Sequence, residues 1–222
     1  MSHESAFPII LSLEVACLAL ALAAPAGIAL AAVQARARYT GRGLVDALVL
    51  LPLVLPPSVV GFFLVLVFGR HGLVGAAIEN ATGVRVLFSP VGAVLASSVV
   101  AFPMLVKTAQ PAFESVPRDL EEVARTLGLR RVEVFLRVRL RHAWRGVLAG
   151  LVLAFARALG EFGATLMVAG NIPGKTNTMP LEIFATYQQG NDARALGYVA
   201  VLTVSSLAIA VVAAKLAPRE QT

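Results

Sequence analysis

PIILSLEVACLALALAAPAGIALAAV, residues 8–33, carries a single charged side chain, Glu14, in 26 positions. About 18 to 20 apolar residues in a helix cross the roughly 30 Å of bilayer hydrocarbon. This stretch is therefore long enough to span a membrane. Four further stretches read the same way: 44–68, 89–109, 146–169 and 195–214. The composition agrees, with 58% hydrophobic and 14% charged residues and a mean hydropathy of +0.79. In lipid the backbone must satisfy its own hydrogen bonds, and the strand-like alternation of a barrel is absent. The expectation is an all-α integral membrane protein with five transmembrane helices, forming one domain over residues 1–222.

The net charge of +6 could signal nucleic acid, but its placement argues otherwise. Nine Lys and Arg lie from Lys107 to Arg145, between the third and fourth spans. Arg36, Arg38 and Arg42 lie between the first and second, and Lys215 and Arg219 follow the fifth. The other side has only Arg70, Arg85, Lys175 and Arg194. Positive charge is retained on the cytoplasmic side, which predicts an outside N-terminus and a cytoplasmic C-terminus. The basic balance is then a topology signal. Cys17 is the only cysteine and forms no internal disulfide. The start lacks a basic n-region, so the first span is expected to stay as an uncleaved anchor.

The charged loop, 113–145, departs from its surroundings. Pro111 and Pro117 punctuate the exit from the third span. Asp119 is placed to cap a helix whose first turn holds Glu121 and Glu122, at the positive end of its dipole. Leu120, Val123 and Leu127 share a face, and Gly128 supplies a left-handed terminus. This predicts a short helix over 119–128. The following RRVEVFLRVRLRHAW fits both a strand and a helical stripe, and a lone strand would leave its edges unpaired. A basic interfacial helix leading into span four is the expectation. Topology accounts for the arginines but not for the capped acidic helix, which has the form of a docking element for a soluble partner.

At this point the chain resembles a known family. Glu122-Val123-Ala124, three residues, Gly128, nine residues and Val138-Arg139-Leu140 are similar to the EAA loop of ABC-importer permeases. Val123 replaces an alanine, and Arg141 stands at the usual proline. LPLVLPPSVVG (51–61) and FARALGEFGATLMVAGNIPGKTNTMPLEIF (155–184) resemble molybdate-transport permeases, with a looser likeness to sulfate permeases. The resemblance implies a type I ABC importer permease in a bacterial or archaeal inner membrane, whose short helix (Asp119, Leu120, Glu121, Glu122, Ala124, Leu127, Gly128) docks into an ATPase subunit. It also implies two copies of the chain, two cytoplasmic ATPase subunits that bind ATP and Mg, and an extracytoplasmic oxyanion-binding protein. No cofactor and no metal are expected on this chain, which has no catalytic arrangement.

Within the spans, Pro52, Pro56 and Pro57 interrupt the helical ladder, giving either a bent helix beside a moving pathway or a static kink. Arg157 and Glu161 stand at i and i+4 and can pair. Charges at that depth cost a few kcal/mol and face protein or water. They form a packing ion pair or line an anion route, with Gly160, Gly163 and Thr165 beside them. Ser97 and Ser98 either bond within their own helix or hydrate a pore, and Lys107 is expected to snorkel to the interface. Glu14 faces either the interface or another helix.

AGNIPGKT, 169–176, fits a relaxed phosphate-loop pattern, but such a loop follows a buried strand and opens a helix. Here it follows a membrane span, so it is rejected as a nucleotide site. The segment 170–194, beginning Gly170, Asn171 and Pro173, is expected to be an extracytoplasmic loop with a short helix around 180–188, shaped for a delivery protein or the pore mouth. The sequence thus points to an ABC importer permease for molybdate, with sulfate, tungstate or an ion-gradient-driven carrier as alternatives. Carriers of that last class show repeat symmetry and several midplane ionisable groups, and neither is seen.

Overall fold

The computed structural model describes residues 3–37, 39–70 and 72–216, and every regular element among them is helical. Arg38, His71 and Arg219 lie outside the described residues. Three helices are long and apolar enough to cross a bilayer: α1 (His3–Arg36), α5 (Pro90–Glu114) and α11 (Asp192–Leu216). Two more spans exist only as bent pairs. The first joins α2 (Arg42–Val54) to α3 (Pro57–Phe68) at 109°. The second joins the helical stretch Arg131–Leu159, whose main part is α8 (Leu140–Leu159), to α9 (Gly163–Ala169) at 60°. Counted this way, the five expected spans are present.

Several expectations need correction. The second span is not one bent helix. Leu55 and Pro56 take extended backbone, and Pro57 opens a new helix. The fourth span ends its first helix at Leu159, so Glu161 lies in the break and not on the helix of Arg157. Pro111 does not end α5, which runs on to Glu114. Its ring leaves Lys107 O without the N–H donor four residues on, and the helix continues past that gap. α4 (Leu73–Thr82), between the second and third spans, has no counterpart in the sequence reading.

The ambiguous basic segment is helical: α7 (Arg131–Val134), a π turn (Phe135–Arg139) and α8 follow one another. Arg141 therefore continues a helix where the family pattern places a proline.

The core is a spine of α1, α5 and α8 held by small residues. Ala16, Ala19, Ala101, Ala154 and Ala158 meet Leu105, Met179 and Tyr198 in one buried cluster. Lipid is as apolar as leucine, so helices in a membrane associate through close packing of this kind. A Cβ built on Gly146 would lie 2.3 Å from Ala112 Cβ on α5. Gly197 on α11, by contrast, has open space around it.

Gly146→Ala should force α5 and α8 apart and cost about 1–3 kcal/mol, the usual range for overpacking. Its thermal unfolding midpoint in detergent should fall, while Gly197→Ala, in open space inside a helix, leaves the midpoint level or slightly raised.

Candidate functional site

Two regions gather the candidate residues. In the first, the two broken spans lean on each other at their breaks. A Cβ on Gly163 would lie 2.9 Å from Pro57 Cβ and 3.4 Å from Ser58 N. One on Gly61 would meet Met167 Cβ at 2.6 Å and Ala164 Cα at 3.0 Å. Glycine at these two positions is what allows α3 and α9 to touch.

Glu161 holds the second break. Its side chain accepts from Ala164 N–H at 2.8 Å through Oε1 and pairs with Arg157 at 2.7 Å through Oε2. The carboxylate thus caps α9 with one oxygen and ties it to α8 with the other. Residue exposure at Glu161 is 2%. Thr165, on α9, is also buried, and its hydroxyl has no hydrogen-bond partner among the described residues.

The other span candidates lie apart from this contact. Ser98 donates to Leu95 O in its own helix at 2.8 Å. With Pro52, Val49 and Phe102 it lines an apolar cavity of about 360 Å³ between α1, α2 and α5. Ser97 is buried on α5, Pro56 is exposed in the first break, and Gly160 is exposed at the end of α8. Lys107 has a partner on a neighbouring helix. It pairs with Asp46 on α2 at 2.5 Å, while Arg42 reaches Glu114 at 3.1 Å, so two ion pairs tie α2 to α5. Glu14 is exposed on α1.

The second region is the short helix, which forms as α6 (Arg118–Thr126). Asp119 is not its cap. Pro117 occupies that position without a side-chain hydrogen bond, and Asp119 falls inside the first turn. The carboxylate cap sits one helix later, where Glu133 accepts from Arg130 N–H at 2.9 Å. The C-terminus of α6 is as expected. Gly128 takes φ +85°, its N–H bonds Arg125 O at 2.9 Å, and Leu129 N–H bonds Ala124 O at 3.2 Å. These two bonds satisfy the last carbonyls in a Schellman motif.

The two faces of α6 differ sharply. Leu120, Val123 and Leu127 point outward, Leu127 at 75% exposure, and Glu122 is exposed with them. On the inner face Ala124 and Glu121 are buried. Glu121 is a hub. It accepts from Arg36 at 2.7 Å, lies 3.5 Å from Arg139, and reaches Arg125 at 3.8 Å. Arg36 also donates to Val116 O, and Arg139 donates to Ala32 O on α1 at 2.6 Å. Arg139 in turn lies over the Phe113 ring. One carboxylate therefore joins α1, α6 and the π turn that leads into α8. The sequence reading placed Glu121 on the helix but missed Arg36 and Arg139, which no local spacing connects to it.

The segment 170–194 is folded around side chains. Thr176 Oγ1 accepts from Ile172 N–H at 2.9 Å, and Asn177 Oδ1 accepts from Gly174 N–H at 2.9 Å. Asn171 donates to Leu181 O at 3.3 Å, at the foot of α10 (Met179–Gln188), the short helix expected there. Glu182 accepts from Asn177 and pairs with Arg194 at 3.0 Å. With Asn171 and Pro173 these residues border a cavity of about 780 Å³. Gly170 turns with φ +69° directly after α9. Residues 169–176 follow a helix and not a strand, in keeping with their rejection as a phosphate loop.

Residues 23–221 match the model of the binding-protein-dependent transport system inner membrane component. The chain belongs to this family. As a member, it is a transport subunit of the inner membrane and not an enzyme. It is 42% identical over 205 residues to the molybdenum transport system permease protein ModB of Escherichia coli K12, covering 92% of this chain and 88% of that one. It is 41% identical over 199 residues to the putative molybdenum transport system permease protein YvgM of Bacillus subtilis, covering 90% and 88%. In fold it is similar to a bacterial ABC transporter that imports alginate, with a TM-score of 0.74 at 19% identity, covering 100% of this chain and 82% of that one. The same alginate transporter in complex with its periplasmic protein matches with a TM-score of 0.74 at 19% identity, covering 99% and 80%.

The double duty of Glu161 yields a prediction. If only the ion pair mattered, exchanging the two charges (R157E with E161R) would be silent. An arginine at 161 cannot accept from Ala164 N–H, so the exchanged protein should lose about 1–3 kcal/mol, the scale for leaving a buried donor without its acceptor. Yield and unfolding midpoint of the exchanged protein in detergent would check this, and wild-type values would refute the capping role.

Proposed function

We propose that this chain is the permease subunit of an ATP-driven ABC importer for an oxyanion, with molybdate as the cargo. What carries the substrate is the 41–42% identity to molybdenum permeases over nine-tenths of the chain. Two copies of the chain would assemble with two cytoplasmic ATPase subunits, which hold ATP and Mg, and an extracytoplasmic binding protein. The basic end, with α6, faces the cytoplasm by the charge rule, and segment 170–194 faces outside.

The geometry supports a division of labour. The outward apolar face of α6 (Leu120, Val123, Leu127), with Glu122 beside it, docks on the ATPase. Movement of α6 passes through Glu121 to α1 and to the π turn before α8. The paired breaks at Pro57 and Gly163, with Thr165 and the Arg157–Glu161 pair nearby, form the part of the membrane domain that changes between inward and outward states. Glu161, Arg157 and Lys107 are already paired. A pathway with few free charges suits an anion that must be released as well as admitted. Selectivity then rests chiefly with the binding protein.

The test is ATP-dependent uptake of labelled molybdate by the permease reconstituted with its ATPase and binding protein, with excess sulfate as competitor. Uptake that needs ATP and withstands sulfate is expected. Loss to sulfate would reassign the cargo, and gradient-driven uptake without ATP would overturn the importer reading. In the same system Gly128→Pro, whose ring cannot adopt φ +85°, should lower uptake at least tenfold while ATP hydrolysis continues. Coupled uptake at wild-type rates would remove α6 from the transmission path.

A further inference from the structure

We propose that the outer face of α8 is a binding site for an anionic phospholipid, with its headgroup at the basic end of the bundle and an acyl chain in the groove between α8 and α11. Leu148, Leu151, Val152 and Phe155 on α8 face Ile209 and Val212 on α11 across an apolar groove of about 440 Å³. One turn earlier on the same face of α8 stand Arg141, Trp144 and Arg145, all exposed. Residues three and four apart share a helix face, so Arg141 and Trp144 continue the row of Leu148, and Arg145 that of Val152. Lys215, three residues beyond Val212 on α11, is exposed at the same end.

The charge pattern selects the occupant. At this end Arg36, Arg42, Arg125, Arg137 and Arg139 each have a carboxylate within 4 Å, while Arg118, Arg130 and Arg131, along α6 and the start of α7 and not beside the groove, are exposed and have none among the described residues. Among the described residues Arg141, Arg145 and Lys215 have none, and Arg145 rests instead on the Trp144 ring at 5.5 Å. Three cations without counter-charges at the mouth of an apolar groove fit a phosphate ester that carries a hydrocarbon tail. Basic pockets between transmembrane helices take such headgroups, and tryptophan marks the headgroup level. The depth fits too. Eleven residues separate Trp144 from Phe155, about 16 Å of helix and close to half the hydrocarbon thickness. The inference rests on the membrane-spanning reading of the chain and is independent of the cargo.

Trp144 is the only tryptophan, so its emission reports this site alone. The full chain, reconstituted in phosphatidylcholine vesicles, would be titrated with brominated phosphatidylglycerol or brominated phosphatidylcholine, and the quenching compared. Quenching by phosphatidylglycerol should correspond to association roughly fivefold or more tighter, about what one engaged cation supplies. The R141Q/R145Q variant should bring the two lipids close to parity. Ala208→Phe, at an exposed position that lines the groove, should reduce the preference with all charges retained. Parity in the wild type would overturn the proposal, leaving only ordinary boundary lipid. Absence of quenching by either lipid would overturn it in favour of coverage by protein, such as a second copy. A preference that survives R141Q/R145Q would remove the headgroup site, and one that survives Ala208→Phe would remove the groove.

Discussion

A polypeptide in hydrocarbon has no water to complete its hydrogen bonds, and that constraint governs this molecule. Its two broken spans, interrupted at 55–56 and 160–162, touch each other beside the breaks. Pro57 and Gly163 meet there, and Gly61 lets α9 close down on α3. The freed amide at the second break is taken by Glu161 through Ala164 N–H. Neither break is stable in isolation in lipid, since unsatisfied groups at that depth cost several kcal/mol. The broken pair is therefore one unit, and α1 and α5, packed along the length of α8, form the frame that holds it.

The two ends of the frame are built differently. At the basic end Arg36, Arg42, Lys107 and Arg139 are held in ion pairs that cross between elements, with Glu121 at the centre. Buried carboxylates are costly unless paired, and Glu121 has guanidinium groups from α1, α6 and the π turn around it. At the other end the connection 170–178 is held by neutral acceptors and donors, Thr176 and Asn177, before Glu182 meets Arg194. A stiff, charged end and a side-chain-folded loop suit the opposite tasks proposed for them.

Much of this was legible in the residues. The spans announced themselves by length and hydropathy, because the bilayer imposes a one-dimensional rule. Gly128 was readable as a helix terminus because a left-handed residue after a short amphipathic run is a local signal. The breaks were harder. Pro52, Pro56 and Pro57 all warned of disruption, yet the helix breaks at Leu55–Pro56 and passes through Pro52. The i, i+4 spacing of Arg157 and Glu161 found the pair but hid the capping role, since Glu161 lies beyond the helix end. Arg36, 85 residues from Glu121, could not be linked to it by any spacing rule. Asp119 shows the opposite error, since a good capping residue lost its position to Pro117, whose fixed φ starts the turn two residues sooner.

The π turn at Phe135–Arg139 has a further consequence. Leu140 N–H bonds Phe135 O, five residues back, so the turn stores one residue more than an α-helical path requires. Such a turn behaves as a one-residue insertion absorbed without rotating the faces on either side. Arg139 can thus be aimed at Glu121 while Gly146, further along, stays aimed at Ala112. Chain length is adjustable here by a single residue, from π to α, with both contacts kept in phase. At any other point of α8 the same deletion would turn everything beyond it by about 100°.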